Sequence, residues 1–172
     1  MSLEFKRILC PVDLSGFSLD ALRLALQVAE SCGATLDILH VIHNPFDDLY
    51  MTRIAETNPA LMDAYAAEPQ QRANILRATE EHSEVLLKQF CQDTVKHYPT
   101  VRYHIGTGDP FEGILDGATD FRTDLIVLAT HGRTGLKRLV IGNVAEKVVR
   151  HAPCPVLTVK PKTVGRLSEA PA

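Results

Sequence analysis

No stretch of the sequence reaches the roughly 18 consecutive apolar residues of a membrane-spanning helix, so no membrane partner is expected. The opening residues, MSLEFKRILCPVD, hold only a three-residue apolar run, Ile8–Cys10, before a proline, which is not the core of an export signal. The cytoplasm is therefore the expected compartment. Neither sign of charge is in excess: 18 Lys and Arg stand against 21 Asp and Glu, a formal net charge of −3. That balance gives the chain as a whole no pull towards nucleic acid or an anionic membrane.

Cysteine pairs are missing as well. Cys10, Cys32, Cys91 and Cys154 form no C-x-x-C unit, which argues against a zinc site and, in a reducing compartment, against a disulfide framework. They read as small buried hydrophobes. The seven histidines are scattered. His40 and His43 stand three apart at a strand end, but no acidic residue at metal-site spacing accompanies them. No residue of the chain is expected to ligate a metal directly.

What is present is an alternation of two periods over 172 residues, a length that suits one domain with one core. Lys6–Asp13 is a short apolar run ending at a proline, a buried-strand signal. A helix follows, with Leu19, Leu22, Ala25, Leu26 and Ala29 at helical spacing and Gly33 as its stop. ATLDILHVI is a second strand. From Asn44 to about Glu68 the sequence is irregular, a long connection of the kind compact domains use sparingly. Its aromatics Phe46, Tyr50 and Tyr65 suit either simple packing or a lid over a site at the strand ends.

A long amphipathic helix is predicted over Pro69–Tyr98, with Ile75, Val85, Leu86 and Phe90 as buried candidates. VRYHI is a third strand. A helix begins after Asp109, with Asp109 as N-cap, Pro110 at the first helical position and Glu112 completing the cap. TDLIVLAT is a strand apolar enough to be buried on both faces. NVAEKVVRHA is a last helix, in which Asn143 and Glu146 have cap-and-N3 spacing, and CPVLTVK is a final strand. Strands and helices in strict alternation imply right-handed crossovers and a five-stranded parallel sheet covered by helices on both faces, an α/β fold. In such sheets a ligand sits outside the carboxyl ends of the strands, where the winding order reverses. The strand ends to watch are Pro11–Asp13, His40–Ile42 and Leu128–Gly132.

The segment LATHGRTGLKRLVIGNVAE, Leu128–Glu146, carries glycines at 132, 135 and 142 with Arg133, Lys137 and Arg138 between them. One reading is a phosphate site. Glycine lets the backbone approach a ligand closely, and the N–H groups that open the last helix attract an anion. The other reading is a strand-to-helix connection whose basic residues face water. The segment is neither a Walker loop nor G-x-G-x-x-G.

The stretches RILCPVDLS, HVI and LATHGRTGLKRLVIGNVAEKVVRHAPCPVLTVK, in that order over residues 4 to about 161, resemble the universal stress protein family. The resemblance implies an adenine-nucleotide-binding type of α/β sheet with strand order 3-2-1-4-5. It implies one domain over residues 1–161, with 162–172 as a flexible tail. It also implies a homodimer formed by antiparallel pairing of the last strand, Cys154–Lys160.

Members of the family that bind ATP resemble one another in a G-x-x-G-x9-G-[ST] motif. Laid on this chain, the motif falls on Ala129, Gly132, Gly142 and Asn143, so two glycines and the nine-residue spacer are kept and two positions depart. Alanine at 129 harms only if that position needs positive φ. Asn143 keeps a polar side chain and a backbone N–H. By resemblance, Pro11 and Val12 line an adenine pocket with Val41 and Leu128. Asp13 faces the ribose or the metal-bearing phosphates, or else caps the first helix. Ala129, His131 and Gly132 pass beside the ribose and α-phosphate, with Arg133 as a phosphate-side charge. Gly142, Asn143, Val144 and Ala145 donate to the outer phosphates. The implied cofactor is ATP, or AMP or ADP, with Mg²⁺ held by phosphate oxygens and water.

No acidic residue near His131 in sequence orients it as a base, and no catalytic residue is assigned. The expected function is a nucleotide-binding, homodimeric regulatory module of the stress response, acting on a protein partner that the sequence does not name. The alternative is a dimeric interaction protein of the same fold that binds no nucleotide. At most, slow ATP hydrolysis or autophosphorylation would accompany the first.

Overall fold

The structure is a computed structural model and describes residues 4–44, 46, 69–130 and 142–160. Nine elements follow in order: β1 (Arg7–Pro11), α1 (Gly16–Cys32), β2 (Thr35–Ile42), α2 (Pro69–Val95), β3 (Val101–Thr107), α3 (Pro110–Asp120), β4 (Leu125–Ala129), α4 (Asn143–His151) and β5 (Val156–Val159). The five strands form one sheet in the order β3-β2-β1-β4-β5, and each adjacent pair is parallel. The expected α/β fold is the one observed.

Alternation along the strands sends side chains to two cores. Ile8 and Cys10 of β1 and Leu36 and Ile38 of β2 pack against α1 and α2, whose Leu22, Ala25, Leu87 and Cys91 are fully buried. On the other face Leu9, Leu39, Ile126 and Leu128 meet Ile114 and Ala118 of α3 and Ala145 and Val148 of α4. Each large aliphatic side chain taken wholly out of water contributes about 1.5–3 kcal/mol.

Local chemistry sets the helix ends. Ser15 caps α1 through its side chain, which accepts from the Ser18 N–H, and Gly33 closes it at φ 64, left-handed backbone that glycine adopts without strain. Asp109 caps α3, its carboxylate accepting from Phe111 and Glu112 N–H at 2.9 and 3.2 Å. Helix α3 then lies close on β2. A β-carbon at Gly113 would stand 3.0 Å from a Val41 methyl, and one at Gly117 would stand 3.1 Å from Leu39.

Two sequence expectations need correction here. Strand β1 ends at Pro11 rather than Asp13. Helix α2 ends at Val95, short of Tyr98, and its buried stripe is Ser83, Leu87, Cys91 and Val95. Val85, Leu86 and Ile75 are exposed, at 52%, 39% and 37%, while Phe90 is half-buried against the core. The stripe runs every four residues and uses the small Ser83 and Cys91, which let the helix sit close to the sheet. A reading weighted by large apolar residues therefore selects the wrong face. Beyond α2, the Tyr98 hydroxyl donates to the carbonyls of Ala29 and Ala34, fastening the chain where it turns into β3.

At the amino ends of the strands, fully buried Asp37 joins three strands. Arg7 Nη2 lies 3.1 Å from its Oδ2, and His104 Nε2 lies 2.8 Å from its Oδ1. Burial alone pushes the Asp37 carboxyl up. The hydrogen bonds and positive charge of His104 and Arg7 outweigh that and hold it below the usual carboxylate value. The predicted connection 44–68 falls almost wholly outside the described residues, as does the tail 162–172.

Candidate functional site

A cleft of about 440 Å³ opens over the carboxyl ends of β1, β2 and β4, within the volume range of small-molecule sites. Strand β1 lies between β2 and β4, so the cleft sits where the winding order reverses. From β1 and the turn after it come Pro11, Val12 and Asp13. Strand β2 supplies Leu39, His40 and Val41, with His43 just beyond. Strand β4 contributes Leu128 and Ala129, followed by Thr130. The start of α3 gives Pro110 and Ile114, and the start of α4 gives Gly142, Asn143, Val144 and Ala145.

The turn between β1 and α1 is held at several points. Val12 N–H donates to the Leu39 carbonyl at 2.8 Å, and His40 Nδ1 lies 2.7 Å from the Val12 carbonyl oxygen. A carbonyl only accepts, so Nδ1 carries the hydrogen. Leu14 is left-handed at φ 61, a conformation costing an ordinary residue roughly 1–2 kcal/mol. Asp13 braces that strained position. Its Oδ1 accepts from both the N–H and the hydroxyl of Ser15, at 3.0 and 2.5 Å. The cap of α1 is thus Ser15, and Asp13 orients the capping residue instead of capping the helix itself.

The other wall is built around Thr130. Its N–H and hydroxyl both donate to the Val159 carbonyl, at 2.9 and 3.3 Å, and its own carbonyl accepts from Gly142 N–H at 2.7 Å. Thr130 and Gly142, the described residues on either side of 131–141, are therefore held together. Gly142 has an ordinary φ of −59. Close approach is what calls for glycine there, because a β-carbon would stand 3.2 Å from the Thr130 oxygen.

The sequence placed Asn143 at the N-cap of the last helix, and this is corrected. Gly142 is the cap, Asn143 is the first helical residue, and among the described residues no side chain caps the helix start. The carbonyl that receives Glu146 N–H, at 2.9 Å, belongs to Gly142. Glu146 sits one position further along and pairs with Arg150 at 2.9 Å. An uncapped start leaves the first N–H groups of α4 facing the cleft rim, where the helix dipole favours negative charge. Ala129 ends β4, and the non-glycine residues at positive φ among those described are Leu14 and Arg122. The alanine departure therefore meets no backbone obstacle.

Of the residues singled out from sequence, Pro11, Val12, Asp13, Val41, Leu128, Ala129 and Gly142–Ala145 come together in one cleft. His131, Gly132 and Arg133 lie outside the described residues, as do Lys137 and Arg138. Sequence reasoning missed Leu39, Ser18, Pro110 and Ile114 as lining residues; His40 and Thr130 fell within the strand ends it marked, 40–42 and 128–132, without a role of their own, and His43 was weighed only as a metal candidate and set aside. Pro110 and Ile114 arrive from a helix 19 and 15 residues before Ala129, which only the fold brings near. Among the described residues no group of three His, Cys, Asp or Glu is arranged to hold a metal ion, and no helix is long and apolar enough to cross a membrane.

A parallel α/β sheet with an open cleft at its switch point, apolar walls and, among the described residues, no side-chain cap on the helix start at one rim defines a class of doubly wound α/β domain. Comparison with known proteins places it more narrowly. The universal stress protein family model matches residues 4–160, and the chain belongs to that family. It is 32% identical over 164 residues to Universal stress protein MJ0531 of Methanocaldococcus jannaschii, covering 91% of this chain and 82% of that one. It is also 32% identical over 160 residues to Universal stress protein A homolog 1 of Coxiella burnetii, covering 91% and 97%. Among solved structures it resembles UspA from Lactobacillus plantarum at 27% identity and TM-score 0.63, covering 92% of this chain and 99% of that one. The same fold appears in a universal stress protein in complex with cAMP, at 18% identity and TM-score 0.55, covering 91% and 97%. It appears too in an Arabidopsis thaliana family protein with AMP bound, at 20% identity and TM-score 0.54, covering 92% and 93%.

Proposed function

We propose that this protein binds an adenine nucleotide, ATP or its AMP or ADP relatives, in the switch-point cleft, and that occupancy regulates a homodimer acting in a stress response. The observation that carries the reading is the convergence of Val12, Val41 and Leu128 as apolar wall with the uncapped start of α4 as anion-attracting rim, in one cleft of about 440 Å³. Apolar faces suit a purine, and the helix start suits phosphates. The family relatives seen with cAMP and AMP support the ligand class. With a triphosphate bound, Mg²⁺ would supply charge neutralisation and would rely on phosphate oxygens and water.

Asp13, fixed by Ser15, faces the ribose or the phosphate-bound ion. Ala129, with His131 and Gly132, borders the ribose and α-phosphate. Arg133 adds charge, and Gly142–Ala145 offer N–H groups to the outer phosphates. No catalytic residue is assigned, and the module acts by binding. Dimerisation uses β5, an outer strand of the sheet whose four residues are all half-buried.

The test is calorimetric titration of nucleotide-stripped protein with ATP and Mg²⁺, alongside Gly132→Val. Saturable binding that the variant loses supports the reading. A folded dimer that takes up no ATP favours the interaction-protein alternative, for which the departures at Ala129 and Asn143 are the supporting observation.

A further inference from the structure

His40 lines the cleft and is 9% exposed. Its Nδ1–H is committed to the Val12 carbonyl at 2.7 Å, so in the neutral ring Nε2 carries the lone pair and accepts hydrogen bonds. Nε2 has no hydrogen-bond partner among the described residues. It is not sealed in the interior either, because the buried side-chain polar atom lacking a partner among those residues is Thr123 Oγ1. A residue nine-tenths buried thus keeps one acceptor without a donor among the described residues, at the wall of a cleft.

Position says what that acceptor meets. His40 lies on β2, beside Val41, whereas the start of α4 borders the end of β4. Strand β1 lies between, so the two features are separated by two strand spacings, about 9–10 Å. A nucleotide whose phosphates meet α4 carries its base over β2. The polar edge of adenine offers one kind of N–H donor, the exocyclic amine. Hypoxanthine and guanine present a carbonyl oxygen at that position, which a lone pair on Nε2 repels.

We infer that His40 is a specificity-determining residue of the cleft, its Nε2 accepting a hydrogen bond from the exocyclic amine of adenine and excluding 6-keto purines. This rests on the adenine-nucleotide reading above. The Val12 bond is what makes the device selective. It fixes the tautomer, so the ring cannot turn a donor to the ligand without taking up a proton.

The test compares ATP with inosine triphosphate on wild type and on His40→Asn, whose side-chain amide keeps a donor near the Nδ1 position and drops Nε2. Wild type is expected to bind ATP roughly 3- to 10-fold more tightly than inosine triphosphate, the range of one neutral hydrogen bond. His40→Asn brings that ratio close to one, mainly by weakening ATP.

Equal affinities in wild type, or a ratio unchanged in the variant, overturn the inference. So does selectivity confined to ATP over 2′-deoxy-ATP, which would put the contact on the ribose. If the variant fails to fold, the nitrogen NMR signal of His40 Nε2 in labelled wild type decides. It shifts with ATP and not with inosine triphosphate if the inference holds, and it is indifferent to both if it does not. Wild type that takes up no adenine nucleotide ends the functional reading and this inference together, whereas ATP bound without discrimination ends the inference alone.

Discussion

Gly142 N–H donates to the Thr130 carbonyl at 2.7 Å, and Thr130 in turn is bonded to Val159. The end of β4, the start of α4 and the last strand are thereby tied at one residue on the rim of the cleft. A β-carbon at 142 would press on the Thr130 oxygen at 3.2 Å, and a branched side chain would press harder. Gly142→Val is expected to weaken ATP by at least about tenfold, roughly 1.4 kcal/mol, while circular dichroism shows the fold kept. Affinity within twofold of wild type would mean that the start of α4 takes no part in binding.

The buried Asp37 predicts an acid limb of stability. Its carboxyl is held below the unfolded value, so its contribution is fully present above the ordinary carboxylate range, near about 4. That contribution fades as pH falls through the lowered native value. Urea unfolding at stepped pH should show wild type losing stability on acidification more steeply than Asp37→Asn. Near neutral pH the variant should be less stable by about 2–3 kcal/mol, because Arg7 loses its counter-charge and His104 its carboxylate partner, while both keep contact with water. Parallel acid limbs would remove Asp37 as their source.

The phase of α2 is open to a paired mutation. Leu87 is fully buried and Val85 is 52% exposed. Leu87→Ala should cost about 2–5 kcal/mol in denaturant unfolding and Val85→Ala no more than about 0.5. The reverse order would restore the helix face that the sequence suggested.

A proline on β5 tests the proposed dimer. Pro155 and Val159 both direct their carbonyls to β4 and Thr130, so the even residue Thr158 turns its N–H outward. Thr158→Pro therefore removes a donor from the free edge and spares the ladder to β4. Sedimentation should show the dimer weakened towards monomer, with the thermal midpoint of the monomer little changed. A dimer of undiminished strength would place the interface elsewhere.

The parallel sheet and the glycine-closed first helix were legible because period, proline and glycine act locally. The cleft was legible at Pro11–Asp13 and Leu128–Ala129 through the rule that ligands meet carboxyl strand ends. It was not legible at Pro110 and Ile114, which arrive through the packing of α3 on β2. The face of α2 was misread because Ser83 and Cys91 bury well only when a close helix–sheet approach makes small residues favourable. Asn143 was misread as a cap because asparagine suits that place intrinsically, whereas the bond from Gly142 to Thr130 starts the helix one residue earlier in the cap position.

The most direct test of the account is the nucleotide content of the protein itself. Protein purified without added nucleotide is denatured, and the released small molecules are identified by chromatography and mass spectrometry; the emptied, refolded protein is then titrated with ATP and Mg²⁺. The account predicts an adenine nucleotide in the release, or saturable ATP binding by the emptied protein. A folded protein that releases none and gives no saturable binding would contradict it.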